Sequence, residues 1–190
     1  MMRNPSPSLP VRRHRFPGRA IALVGWLITS TTASGQAAVK TPPDLARVAR
    51  NIITAAKYAT LVTLDEGKGP RTRMVQPQPP DSLFTVWFAT NPRTRKVQDI
   101  ARDGRVVMHY FDPVREGYVS LIGRGRVVRD LPTKLAHWNP AWDAFYENRD
   151  TSVVLIEVRA DRLEIVSDKD GVTGDQATWR PPVLTVRRRR

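Results

Sequence analysis

Between Thr60 and Val166 the chain repeatedly passes from short β-rich runs into Gly, Pro or Asp turns, with only brief helical patterns between them. Parallel strands need long crossovers at every step, so this spacing predicts an antiparallel sheet. Thr60–Asp65 and Arg71–Gln76 read as a hairpin around Glu66-Gly67-Lys68-Gly69-Pro70. Gln76-Pro77-Gln78-Pro79-Pro80 cannot continue as a central strand, because proline lacks the ladder donor. Leu83–Ala89 is apolar nearly throughout and is expected to be buried on both faces. Val106–Phe111 and Tyr118–Val128 follow, and Val153–Val158 with Leu163–Val166 is expected as a final strand pair. Helical spacing marks Leu45 to Ala56, with Asp44 as cap. It recurs from Pro92 to about Arg102, with Val97, Ile100 and Ala101 inward, and from Leu131 to about Tyr146 on either side of Pro140. The expected fold class is α+β, a mostly antiparallel β-barrel with a few peripheral helices.

Charge is concentrated at the ends. Five arginines in the first 37 residues and four at 187–190 account for nine of the formal +13, which leaves +4 on the body of the chain. A nucleic-acid protein carries its excess on the folded body with aromatic residues interleaved, so nucleic acid is not the expected partner. Residues 1–37 read as an export signal: a basic region to Arg19, an apolar segment Ala20–Ile28, and small residues before a cleavage point after Ala37. Arg12-Arg13 adds a hint of twin-arginine export. The apolar segment is shorter than the ~20 residues of a spanning helix, so a periplasmic protein without a stable membrane anchor is expected. Residues 38–43 read as a linker, 44–167 as the folded domain and 168–190 as a polar tail. With no cysteine in the sequence, thiolate metal sites and thiol nucleophiles are excluded, and no metal site is expected.

The chemistry is legible chiefly in Thr90-Asn91-Pro92-Arg93-Thr94-Arg95-Lys96, which sets cations at a helix start directly after a strand. Asn91 is placed to cap that helix and Pro92 to open its first turn, where free N–H groups and the positive end of the macrodipole favour an anion. Two readings stand at this point: a solvated basic face, or a phosphate cradle joined by Arg73 from the hairpin. Three converging cations would need an anion to neutralise them. His109 and His137 are read as structural. Gly123-Arg124-Gly125 lies inside a strand-like run and is read as a bulge or barrel bend.

Taken in order, these motifs resemble the pyridoxamine 5'-phosphate oxidase-like FMN-binding split barrels, in particular their general stress protein branch, over about Leu45 to Val166. Arg73-Met74-Val75 looks like the family's flavin-holding strand, and Phe88-Ala89-Thr90-Asn91 followed by Arg95-Lys96 like its phosphate segment. Tyr118-Val119-Ser120-Leu121-Ile122-Gly123 is similar to the following barrel strand, and Trp138-Asn139-Pro140 to the general-stress marker. The resemblance implies an FMN-dependent oxidoreductase on a split barrel, built as a homodimer with the flavin at the subunit interface.

On that basis Arg73, Arg95 and Lys96 would neutralise phosphate, Thr90 would donate beside Ala89, and Met74, Val75 and Gln76 would meet the ring. Tyr118 and Trp179 would wall the pocket. The redox partner would be a small molecule, with NAD(P)H a candidate. The oxidase's Tyr/Arg/Ser substrate set and its C-terminal Arg-x-His element are absent, and Gln76-Pro77-Gln78 replaces an apolar run ending in lysine. A vitamin B6 phosphate is therefore not the expected substrate. Alternatives within the resemblance are a deazaflavin- or haem-binding relative and a flavin-binding sensor without turnover.

Overall fold

The computed structural model describes residues 42–65 and 67–187. The export signal expected over residues 1–37, positions 38–41 of the linker and the last three arginines lie outside the described residues. The first helix, α1, runs Pro42–Ala56. It takes in the last two linker positions, so Asp44 falls within the helix and is not its cap. Val48, Ala49, Ile52 and Ile53 form its buried stripe, at the spacing an amphipathic helix requires. Val48, Ile52 and Ile53 each contribute about 1.5–3 kcal/mol on burial, and the Ala49 methyl less.

Seven strands follow: β1 Ala59–Asp65, β2 Gly69–Val75, β3 Thr85–Thr90, β4 Arg105–Asp112, β5 Gly117–Val128, β6 Val154–Ser167 and β7 Val183–Thr185. They are hydrogen-bonded in the order β2-β1-β4-β5-β6-β3, with β7 added to β6, and every pairing is antiparallel. The two ends of this path, β2 and β3, approach where the Gln78 N–H donates to the Trp87 carbonyl at 2.7 Å. Gln78 is the one residue of 77–80 that has an N–H to give, so the proline run can donate only once across this seam. α1 packs against β4, β5 and β6.

As expected, β3 is buried on both faces. Val86 and Phe88 enter the main core with Leu61, Met108, Val119 and Leu121. Trp87 joins Val128, Val153 and Leu155 in a second cluster covered by Trp138, Trp142 and Tyr146.

Several expectations are corrected. Val153–Val158 and Leu163–Val166 are not a strand pair but two halves of β6, 14 residues long. The register against β5 steps from Ile122↔Arg162 to Gly123↔Ala160, which leaves Asp161 as the extra residue of a bulge. Gly123 thus marks a bend, as its place in the sequence suggested. A Cβ there would overlap the Arg159 carbonyl oxygen. The Leu131–Tyr146 helix is broken into α3, Leu131–Ala136, and a 3-10 turn, Pro140–Ala144, capped by the Asn139 side chain on the Ala141 N–H at 3.0 Å. Residues 168–190 are not simply a tail, since β7 pairs Val183 with Glu164 and Thr185 with Arg162.

Candidate functional site: a cationic pocket at the start of α2

The register of the hairpin decides which face of β2 is functional. Arg71 lies opposite Thr63 and Arg73 opposite Leu61, and both partners are buried, so the two arginines share the inner face. The second helix, α2, runs Arg95–Arg102 and places buried Asp99 against them. Thr63 Oγ1 donates to Asp99 Oδ2 at 2.7 Å, and Arg73 donates through Nη1 to Thr63 Oγ1 at 2.5 Å and through Nη2 to Asp99 Oδ2 at 3.3 Å. Arg71 pairs with Asp65, and Arg102 reaches Asp65 at 3.4 Å and Asp99 at 3.7 Å. Two carboxylates therefore hold three guanidiniums, and of the expected converging set Arg73, Arg95 and Lys96 only Arg73 is among them. Arg73 does not simply face water.

The helix start differs from the expected cap. Asn91 Oδ1 accepts the Arg93 N–H at 2.8 Å, and Thr94 Oγ1 donates to the Asn91 carbonyl at 3.0 Å, so Asn91 and Pro92 belong to a turn outside the helix. Thr94 is the N-cap residue, in extended conformation and without a side-chain cap hydrogen bond. The uncapped first turn carries Arg95 and Lys96. These two, with Arg71, Thr72, Arg73, Arg93 and Thr94, line an open cavity of about 610 Å³. Among the described residues no carboxylate pairs with Arg93, Arg95 or Lys96. Burial, and next the charge of Arg73, hold the Lys96 ammonium below the ordinary lysine value of 10.5. Guanidinium forks, an ammonium and free helix-start N–H groups suit a phosphate dianion.

Of the expected site residues, Arg73, Arg95 and Lys96 converge here and the others are dispersed. Thr90 is buried at the end of β3, next to the turn, and Ala89 packs in the Trp87 cluster. Met74 projects from the opposite face of β2, where Thr60 Oγ1 donates to its Sδ at 3.4 Å. Val75 has its side chain in the core. Gln76 lines a different cavity, with Tyr110, Trp142 and Phe145. Tyr118 and Trp179 line a third, of about 430 Å³. There Trp179 is 86% exposed with a left-handed φ of 58°, a conformation unusual for a bulky residue.

Ala101, expected inward, is exposed. Arg71 was missed, although its i, i+2 relation to Arg73 on a strand is a usable signal. Asp99 had no such signal, because an acid three residues after a lysine on a short helix reads as a solvated pair. Both described histidines are engaged elsewhere: His109 Nδ1 is 3.0 Å from Ser120 Oγ, and His137 stacks on Trp87 at 3.8 Å.

The molecule is thus an antiparallel barrel with a phosphate-suited cationic pocket at one helix start. Residues 44–173 match the family described as "Pyridoxamine 5'-phosphate oxidase like", and the chain belongs to that family. Among solved structures it is similar to general stress protein 26 from Bacillus anthracis str. Sterne, at 20% identity over 74% of this chain and 98% of that one, with a TM-score of 0.57. A pyridoxamine 5'-phosphate oxidase-related, FMN-binding protein from Nostoc punctiforme shares 12% identity over 64% of this chain and 80% of that one, with a TM-score of 0.53. A haem-binding protein from Mycobacterium smegmatis shares 19% over 64% and 53%, with a TM-score of 0.51. These likenesses establish the split-barrel fold. No curated protein sequence matches the chain.

Proposed function

We propose that this protein binds FMN and acts as a flavin-dependent oxidoreductase on a small-molecule substrate. The observation that carries the reading is the pair Arg95 and Lys96, which lie on an uncapped helix start without a carboxylate partner among the described residues while Arg73 is already tied to Asp99. The pocket fits the FMN phosphate in charge and in donor type. FMN, when bound, supplies two-electron redox chemistry, and the protein's part is binding, orientation and electrostatics. Arg95 and Lys96 hold the phosphate, Arg73 adds a partly neutralised charge beside it, and the backbone of Met74 and Val75 is the proposed wall for the ring.

The flavin reading is favoured over haem by the two described histidines, His109 and His137, since neither borders the cationic pocket and each already has a partner. A homodimer is part of the proposal. Tyr118 and Trp179 lie in a cavity apart from the cations, and exposed Met74 and Phe111 on the outer sheet face offer apolar surface to a second copy. Export to the periplasm is proposed from the N-terminal sequence, and N-terminal sequencing of the mature protein tests it.

The substrate is not a vitamin B6 phosphate. In the segment Thr133–Trp138, where the oxidase would present substrate ligands, Lys134 is fully buried and donates to the carbonyls of Asp150 at 2.5 Å and Val153 at 3.4 Å. It is not available to a second phosphate.

The deciding experiment is the absorption spectrum of the purified protein, followed by anaerobic NAD(P)H titration. A flavin spectrum that bleaches on titration is the expected result. A haem or deazaflavin spectrum overturns the cofactor reading, and a flavin that no reductant bleaches indicates a binding module.

A further inference from the structure

The cavity beside Gln76 takes no part in holding phosphate, and its lining is chemically distinctive. Lys57 from the end of α1, Gln76, Tyr110 from β4, and Trp142 and Phe145 from the 3-10 segment enclose about 240 Å³. Pockets for drug-sized ligands run to roughly 300–1,000 Å³, so the occupant is a single small ring system.

Tyr110 is 1% exposed, and its hydroxyl has as partner only the Met108 Sδ, at 4.0 Å, among the described residues. Buried tyrosine hydroxyls ordinarily meet an oxygen or nitrogen acceptor. Burial also pushes the Tyr110 pKa up, so the group remains a donor. Phe145 is 78% exposed and Trp142 is half-buried, an arrangement that presents aromatic surface at the opening. Lys57 is exposed there, with no carboxylate partner among the described residues.

We propose that this cavity binds a small planar aromatic acid, with its ring against Trp142 and Phe145, an acceptor oxygen on the Tyr110 hydroxyl and its carboxylate toward Lys57. Gln76 borders this cavity and also closes the segment that the flavin reading assigns to the ring, so on that reading a bound acid would lie near the ring. The binding itself does not depend on that reading.

4-Acetylbenzoate carries both groups and serves as the probe, titrated calorimetrically into the full-length protein with and without added FMN, with tryptophan fluorescence followed in parallel. Saturable one-to-one binding is expected. Tyr110→Phe, which keeps the ring, should weaken it about tenfold, the loss of one hydrogen bond to a carbonyl. Phe145→Ala, at an exposed position, should weaken it severalfold, and Lys57→Ala should weaken it and remove its salt dependence. Absence of saturable binding to the unmodified protein, or equal affinity in Tyr110→Phe, overturns the proposal. Probe binding by a protein that does not take up FMN supports the aromatic-acid site and overturns only the flavin reading.

Discussion

Arg73 Nη2 lies 3.3 Å from Asp99 Oδ2, the same oxygen that accepts the Thr63 hydroxyl at 2.7 Å. This contact joins β2 to α2 and partly neutralises one cation of the pocket before any ligand arrives. The charge left for a phosphate is therefore mainly that of Arg95 and Lys96.

Replacing Arg95 and Lys96 together with alanine should remove FMN while the barrel stays folded, because neither side chain has a carboxylate partner among the described residues. A charge-assisted hydrogen bond contributes about 1.5–3 kcal/mol, so losing two should weaken binding a hundredfold or more. Flavin fluorescence on titration, with circular dichroism as the folding control, measures this. Unchanged affinity would refute the phosphate assignment.

Asp99→Asn should separate stability from binding. The substitution leaves Arg73 and Arg102 without their shared buried carboxylate, and stability should fall by about 1–3 kcal/mol in urea unfolding. FMN should be retained, since the guanidinium of Arg73 is then free to face the phosphate. Loss of flavin without loss of stability is the contrary outcome.

Lys96 predicts a pH dependence with opposite signs for the empty and loaded protein. Its folded pKa is depressed by burial and by Arg73, so the empty protein bears a cost for the ammonium below that pKa and is relieved of it as pH rises through it toward 10.5. A bound phosphate needs the ammonium, so FMN affinity should fall over the same rise. The phosphate is already a dianion above its second pKa of about 6, which leaves the lysine as the titrating partner. Lys96→Arg, which stays charged, should flatten the alkaline fall in a plot of Kd against pH.

Gly123→Ala should be strongly destabilising despite its small size. The added methyl would overlap the Arg159 carbonyl oxygen and lie 2.9 Å from the carbonyl carbon, both backbone atoms of the paired strand. Overpacking of this kind costs about 1–3 kcal/mol or more. Thermal unfolding reads the loss, and a melting temperature within a degree of the parent would contradict the bulge geometry.

The protein should not form pyridoxal 5'-phosphate from pyridoxamine or pyridoxine 5'-phosphate, because the Lys134 ammonium is spent on the Asp150 and Val153 carbonyls. Aerobic assays on flavin-loaded protein check this. Saturable turnover at low substrate concentration would restore the oxidase reading.

The antiparallel class, the two-sided burial of the Val86–Phe88 stretch and the bend at Gly123 were legible in the sequence, because each rests on a local property: periodicity, apolar run length or a missing side chain. Leu83, expected to share that burial, is exposed ahead of the strand. The sequence also brought Arg73, Arg95 and Lys96 forward as one group. That β6 is one strand and that β7 joins it became visible only in the pairing of the strands. A bulge at Asp161 reads in sequence like a turn, and three residues are too few to show a period. Tertiary packing also set the burial of Asp99 and Lys134, whose charges read as solvated until their partners are known. Nor could spacing show that Gln76, Tyr118 and Trp179 line cavities other than the cationic one. Which face of a strand meets which pocket is fixed by register and by pairing across the sheet, and those are properties of distant residues.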